Sequence, residues 1–353
     1  MKTMDELPAS ADPAAGRSSE ARPPATYDEL VQRSPQGSIF AKRWWLEAVA
    51  PGAHEILEIN RGGAVHCAWP VVRTVRDQGA TYFMPALTQK LGILFAPPLG
   101  KPGEVQSNNQ KLMSEMLESL GPIENFHQNF HENFTDWLPF HWAEFSQTTR
   151  YTYVLDDISD EAALWANMRH MCRKEIRKAQ NSGVRVIDDF PLDQFLEVNR
   201  KTFTRQGVSP LADDEFVHRL DAACVKNAGR RIFAGVDESG RVHAAIYIVW
   251  SDGTAYALMG GGDPELRQSS AYRLAYWEAI QFARTVAQRF DFVGSMLPQV
   301  EHLNRGFGGR QVPYFAISKS TPQPPSLRAA LKAAVLSRAG ILKRKSAGPA
   351  ATK

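Results

Sequence analysis

The 353-residue sequence predicts an α+β protein built as two tandem α+β units. Three observations carry that prediction. β-like runs and helical apolar periodicities alternate from residue 38 to residue 318. Gly-containing hairpin signals recur in both halves, at Arg61-Gly62-Gly63 and at Asp237-Glu238-Ser239-Gly240. The length also exceeds what one small core needs, and 43% hydrophobic residues is a globular composition.

In chain order, residues 1–25 read as a disordered segment, rich in Ala, Pro, Ser and charge. The first unit, 26–148, opens at Tyr27, with a helix expected over Ser38–Val49. A hairpin follows, His54–Asn60 with Ala64–Val72, then strands Thr81–Met84 and Gly92–Phe95 and a helix over Gln106–Leu120. Ile123–Phe145 packs seven Phe and Trp among three histidines. His127 and His131 have the i, i+4 spacing of helical metal ligands but lack an HExxH frame, so they read as satisfied histidines in an aromatic strand region and no metal is expected.

The second unit, 149–320, begins with strand Arg150–Leu155 and a helix from Ser159 to about Gln180, closed by Gly183. Strand Val184–Ile187, helices Leu192–Arg205 and Asp213–Ala223, and the hairpin Arg231–Val236 with Val242–Trp250 come next. Strand Thr254–Met259 then stops in Gly260, Gly261 and Gly262, where a backbone can approach a ligand. A polar loop, Asp263–Ser269, leads to Ser270 as the expected N-cap of a long apolar helix. Strand Asp291–Ser295, helical Val300–Arg305 and strand Pro313–Ser318 complete the unit, and 321–353 reads as a basic amphipathic helix and tail.

Charge and cysteine usage narrow the function. Net charge is +3, too small for a whole-molecule nucleic-acid field. It is uneven, because no Asp or Glu follows Glu301. Cys67, Cys172 and Cys224 are odd in number and widely spaced, which suits a reducing compartment and offers no CxxC site. With no apolar run of about 18 residues and no signal-peptide pattern, the chain is expected in the cytoplasm, with the terminal helix either lying on the inner membrane face or docking on its own domain. Arg169, Arg173 and Arg177 recur at i, i+4 beside Lys174 and Lys178, a stripe suited to phosphate or RNA, or else a solvated face.

The order of elements, with a glycine-rich strand end before a long helix, resembles the Gcn5-related N-acetyltransferase (GNAT) fold. The stretches Arg150–Tyr153, Arg173–Ala179, Met259–Asp263, Phe290–Met296 and Val300–Gly308 resemble its double-GNAT branch, which includes Fem-type aminoacyl transferases and BioF2-like acetyltransferases. The resemblance is local from Arg150 to about Lys319 and architectural from Ser38 to Gln147. It implies two GNAT-like domains, each a mixed, mainly antiparallel sheet flanked by helices. It also implies transfer of an acyl group to an amine acceptor, a small molecule or a peptide. The donor would be acyl-CoA or, in the Fem-type alternative, aminoacyl-tRNA placed against the helix Arg169–Lys178. Neither is a permanently bound cofactor.

In that frame a splayed strand pair, Ala255–Gly262 and Asp291–Leu297, would supply backbone N–H groups to an oxyanion, worth about 3 kcal/mol each. Donor binding falls to Gly260, Gly261, Gly262, Arg267, Ser269 and Ser270, although the loop has serines and Tyr272 where the family's phosphate loop has glycine. Asp263, His302 and Glu301 are the expected proton-transfer groups, each with a structural alternative as a cap or helix-start residue. Tyr256, Tyr272 and Arg305 are the expected substrate contacts. A third class, a non-catalytic protein binding anionic lipid or nucleic acid, fits the basic helix and tail.

Overall fold

The computed structural model describes residues 23–320 apart from 77, 78 and 295. The expected N-terminal segment, Pro23–Ala25 apart, and the expected C-terminal basic helix and tail lie outside the described residues.

The first half comprises α1 (Tyr27–Arg33), a 3₁₀ turn at Ile39–Ala41, α2 (Arg43–Val49), β1 (His54–Arg61), β2 (Ala64–Arg76), β3 (Gly79–Tyr82), β4 (Leu94–Phe95), α3 (Pro102–Ser119), β5 (Ile123–Asn129) and α4 (Leu138–Trp142). The second has β6 (Ser146–Leu155), α5 (Glu161–Asn167), α6 (His170–Asn181), β7 (Arg185–Ile187), α7 (Leu192–Gln206), α8 (Asp214–Asn227), β8 (Gly229–Val236), β9 (Val242–Ser251) and β10 (Thr254–Gly262). A 3₁₀ turn at Pro264–Ser269, α9 (Ala271–Ala283), β11 (Arg289–Asp291), α10 (Pro298–Gly306) and β12 (Arg310–Ser320) end it. The α+β expectation holds, and the expected 148/149 division falls inside β6.

One mixed sheet runs β1-β2-β3-β5-β12-β6-β11-β10-β9-β8-β7, with β4 paired to β2. Most pairs are antiparallel; β3–β5 and β10–β11 are parallel. Strand β12 closes the join between the halves, and Phe130 N–H donates to Phe315 C=O at 2.8 Å beside it.

Side-chain alternation along β10 sorts the two faces of the second half. Ala255 and Ala257 pack with α5, α6 and α9, whereas Tyr256 and Leu258 pack with α2, α7 and α8. The small alanines let α9 lie close on the sheet, and α9, apolar almost all round, is buried to match. The aromatic segment of the first half is a core of edge-to-face rings, Trp69, Phe126, Phe130 and Phe140 among them.

Four local expectations are corrected. The helix expected from Ser159 to Gln180 is two helices, because Arg173 folds back to donate to the C=O groups of Trp165, Ala166 and Met168 at the end of α5. The helix expected over Ser38–Val49 breaks at Lys42, whose ψ of 140° is extended. The glycines 260–262 lie inside β10 and do not stop it before them. The strand expected over Asp291–Ser295 ends at Asp291.

Candidate active site

The parting of β10 and β11 organises the site. Thr254, Ala255 and Tyr256 pair with Arg289, Phe290 and Asp291, and then the pairing stops while β10 continues to Gly262. A bulge at Leu258 accompanies the divergence, its register shifting between Ala257 and Met259. From Ala257 onward one edge of β10 therefore has no strand partner among the described residues.

What turns β11 away is visible. Asp291 Oδ1 accepts from Thr152 Oγ1 at 2.6 Å and from the Val293 N–H at 2.8 Å. That local hydrogen bond competes with the ladder. The next residues, Val293 and Gly294, have φ of 57° and 45°. At 294 a Cβ would lie 2.4 Å from the Tyr151 carbonyl oxygen, so glycine is required there.

The other oxygen of Asp291 belongs to a buried ionic network. Lys90 Nζ donates to Asp291 Oδ2 and to Glu132 Oε2, both at 2.7 Å, and Arg289 donates to Glu132 Oε1 at 2.8 Å. The Lys90, Glu132 and Asp291 side chains are 3%, 5% and 0% exposed. Burial would lower the Lys90 ammonium, but the two carboxylates outweigh it and hold it above its ordinary value. For Glu132 burial pushes upward, and Lys90 with its neighbours pulls the carboxyl well below the usual range.

A 490 Å³ cleft opens at the parting. Ala257, Leu258, Met259 and Gly260 form its floor, with Val293, Gly294 and Val300 beyond the gap. Tyr272 and Tyr276 of α9 line it from one face of the sheet, and Leu196, Asn199 and Phe203 of α7 from the other. The cleft thus passes through the sheet. Residues Met84–Gln89 of the first half form a further wall, and Lys90 continues from that wall into the buried network.

The glycines of β10 are crowded by protein. A Cβ at Gly260 would stand 2.1 Å from Tyr272 Oη, and one at Gly261 would stand 2.6 Å from Asn199 Cα. Asn199 Nδ2 donates to the Gly260 C=O at 2.9 Å, and the Gly262 N–H donates to Thr202 Oγ1 at 2.9 Å. The glycines let α7 and Tyr272 sit against the strand end. Gly260 also faces the cleft.

Among the other sequence-derived candidates, Tyr272 lines the cleft, and burial pushes its phenol up to about 12. Tyr276 beside it, centroids 5.2 Å apart, is raised further by burial. Both are neutral donors at physiological pH. Tyr256 is buried against Phe40. Asp263 lines a separate hollow. Its Oδ2 accepts from Lys201 at 2.6 Å and its Oδ1 from the Glu265 N–H at 2.9 Å, and the Lys201 hydrogen bond holds its carboxyl below the usual range.

Glu301 accepts from Tyr153 Oη at 2.6 Å and pairs with Arg305 at 3.0 Å. His302 is exposed, two residues past Val300 and so turned about 200° from the cleft side of α10. Ser269 Oγ accepts from the Ala271 N–H at 3.3 Å, and Ser270 caps α9 by position only, in a left-handed conformation without a side-chain bond. Arg267 lies in the turn Pro264–Ser269. The structure brings Gly260 and Tyr272 together and leaves the acidic and histidine candidates out of the cleft lining.

Sequence reasoning missed the α7 residues Asn199 and Arg200, Asp214 of α8, and the wall Met84–Gln89. Arg200 and Asp214 form an ion pair on the cleft. His131, expected as satisfied, accepts from the Asn133 N–H at 3.1 Å and is lowered to about 4 by burial. Among the described residues no His/Cys/Asp/Glu group suits a metal ion, and no helix is long and apolar enough to cross a membrane.

Comparison with known proteins identifies the frame. Residues 166–298 match the family model of the acetyltransferase (GNAT) domain. The fold is similar to the crystal structure of FemX, with a TM-score of 0.61 and 11% identity over 82% of this chain and 94% of that one. It is also similar to the C-terminal domain (DUF2156) of a putative lysylphosphatidylglycerol synthetase from Agrobacterium fabrum, with a TM-score of 0.50 and 11% identity over 88% and 98%. A search of the curated proteins gave no match. Residues 166–298 are thus similar to a GNAT acetyltransferase domain, and the chain shares the fold of FemX.

Proposed function

We propose that this chain is an acyltransferase that moves an acetyl or other acyl group from a coenzyme A thioester to a primary amine. The observation that carries the reading is the parting of β10 from β11 over a cleft open to both faces of the sheet. The unpartnered edge of β10 from Ala257 offers backbone N–H groups to the acyl oxygen, and such donors stabilise a tetrahedral oxyanion by about 3 kcal/mol each. The amine attacks the acyl carbon directly, the C–N bond forms, and the bond to the leaving group breaks. The proton lost by the amine balances the one gained by the leaving group. Tyr272, a neutral phenol on the cleft, gives that proton and is restored by solvent.

Donor and acceptor enter from opposite faces. The donor lies on the α9 side, where Asn304, on the same face of α10 as Val300, is buried with both amide atoms unpartnered among the described residues. An unmet buried amide costs about 1–3 kcal/mol, which a bound donor would offset. The acceptor lies on the α7 side, where apolar Leu196, Phe203 and Met84 surround the Arg200–Asp214 pair. Asp263 fixes the strand end through Lys201.

A second reading, an aminoacyl-tRNA donor, is favoured by one feature: Ser269 occupies the Ala271 N–H that a compact pyrophosphate site would use. Thiol release from acetyl-coenzyme A with an amine panel, run beside transfer of a labelled amino acid from charged tRNA, separates the donors. Turnover with neither, alongside binding to anionic vesicles or RNA, would leave a non-catalytic binding protein.

A further inference from the structure

The basic side chains of α6 divide into two groups. Two arginine side chains have protein partners: Arg173 is spent on the α5 carbonyls and Arg177 stacks on Trp165 at 5.3 Å, while Arg169, just before the helix, donates its backbone N–H to the Gly306 C=O. The one acid of the helix, Glu175, pairs with Arg273 of α9. Lys174 and Lys178 are left without a carboxylate among the described residues, Lys178 reaching only a backbone carbonyl. With His170, Arg177, Asn181 and Ser182 they line a 460 Å³ hollow. Among the described residues no carboxylate pairs with Lys174, Arg177 or Lys178.

This hollow adjoins the expected donor loop. Lys178 Nζ donates to the Gln268 C=O, within the turn Pro264–Ser269 that leads from β10 into α9. The start of α9 is itself a poor anion cradle, with the Ala271 N–H on Ser269 and Ser270 left-handed. Positive charge near the loop therefore comes from α6 side chains more than from helix N–H groups. Ammonium groups on flexible stems suit phosphate oxygens spread along a chain, bound as point charges.

We propose that the hollow along α6, beside the turn Pro264–Ser269 that Lys178 reaches, receives the phosphates of the acyl donor. The ligand chemistry is an adenosine phosphate tail, shared by coenzyme A thioesters and the 3′ end of a charged tRNA. The inference rests on the donor reading above and adds where the donor's phosphates lie.

The test titrates the full chain with coenzyme A, and separately with an uncharged RNA minihelix ending in CCA, from 50 to 300 mM salt. Lys174→Glu/Lys178→Glu is compared with Lys111→Glu, a charge reversal on the exposed face of α3. The double variant should bind at least tenfold more weakly at low salt whichever probe the parent binds, with a shallower salt dependence, while Lys111→Glu stays within twofold. The responding probe identifies the donor. Should the double variant fail to fold, Lys174→Gln, which breaks no hydrogen bond of the structure, should still weaken binding about threefold. Affinities within twofold of the parent for all these variants would overturn the phosphate site; parental donor turnover would then leave acyl transfer standing. A parent that binds neither probe and turns over neither donor removes both.

Discussion

Lys90 Nζ stands 2.7 Å from Asp291 Oδ2, and the two residues are 201 positions apart in the chain. One comes from the end of the loop that walls the cleft, the other ends the strand whose departure opens it. The pair therefore couples the first half to the geometry of the gap. Removing one member of a buried pair leaves an uncompensated charge, at about 3–5 kcal/mol. Lys90→Met and Asp291→Asn should each lower the urea-unfolding free energy by that order, and the double variant by less than their sum. Additive losses within about 0.5 kcal/mol would show the two residues to be independent.

Acid should weaken the same region in two stages. His131 binds its proton near pH 6.5 when unfolded and only near 4 when folded, because burial opposes the charge and its Nδ1 already accepts from Asn133. Between those values the unfolded chain holds the extra proton, so stability falls as pH drops from 6.5 to 4, by about 3 kcal/mol. Glu132, depressed by Lys90 against its burial, contributes stability that is present above its unfolded pKa of about 4.3 and lost below it. Urea titrations of the parent and His131→Asn at pH 7 and 4.5 check this. The variant should lose most of the difference, and equal slopes would count against it.

Gly260 and Tyr272 should behave as a unit. Gly260→Ala puts a methyl 2.1 Å from the phenol oxygen, and displacing that ring should cost about 1–3 kcal/mol of stability and most of the activity. Tyr272→Phe removes the clashing oxygen together with the proton donor, so kcat should fall about 100-fold with stability little changed. In the double variant the stability loss of Gly260→Ala should shrink while kcat stays low. Independent stability effects would mean that the ring is not held as described.

Asp263 and His302 should tolerate change. Asp263→Asn keeps the acceptor for the Glu265 N–H and loses only the charge toward Lys201, and His302→Ala alters an exposed side chain. Each should keep kcat within tenfold of the parent. A general base lost from the reaction would cost about 100-fold or more, and such a loss at either position would return proton transfer to that residue.

Legibility in the sequence followed the range of the interactions. The hairpin at Gly62-Gly63, the apolar run of α9 and the strand before Gly260 announce themselves through local pattern, and the joint order of the motifs pointed to the fold. The break at Met168 was hidden because Arg173, a good helix residue, stabilises it by folding backward. The end of β11 was hidden because its cause is a side chain, Asp291, bound to Thr152 and Lys90 from distant strands and loops. The cleft walls from α7 and Met84–Gln89 carry no motif and are assembled only by the fold. The three glycines were legible as a close approach, but the partner crowding them is protein.

Amide hydrogen exchange of the full chain, alone and with acetyl-coenzyme A or charged tRNA, tests the donor strand most directly. With one of the two donors those amides of residues 257–261 that point away from β9 should become protected, since that edge of β10 has no strand partner among the described residues until the acyl group docks. Unchanged exchange at 257–261 with both donors at saturating concentration would contradict the account.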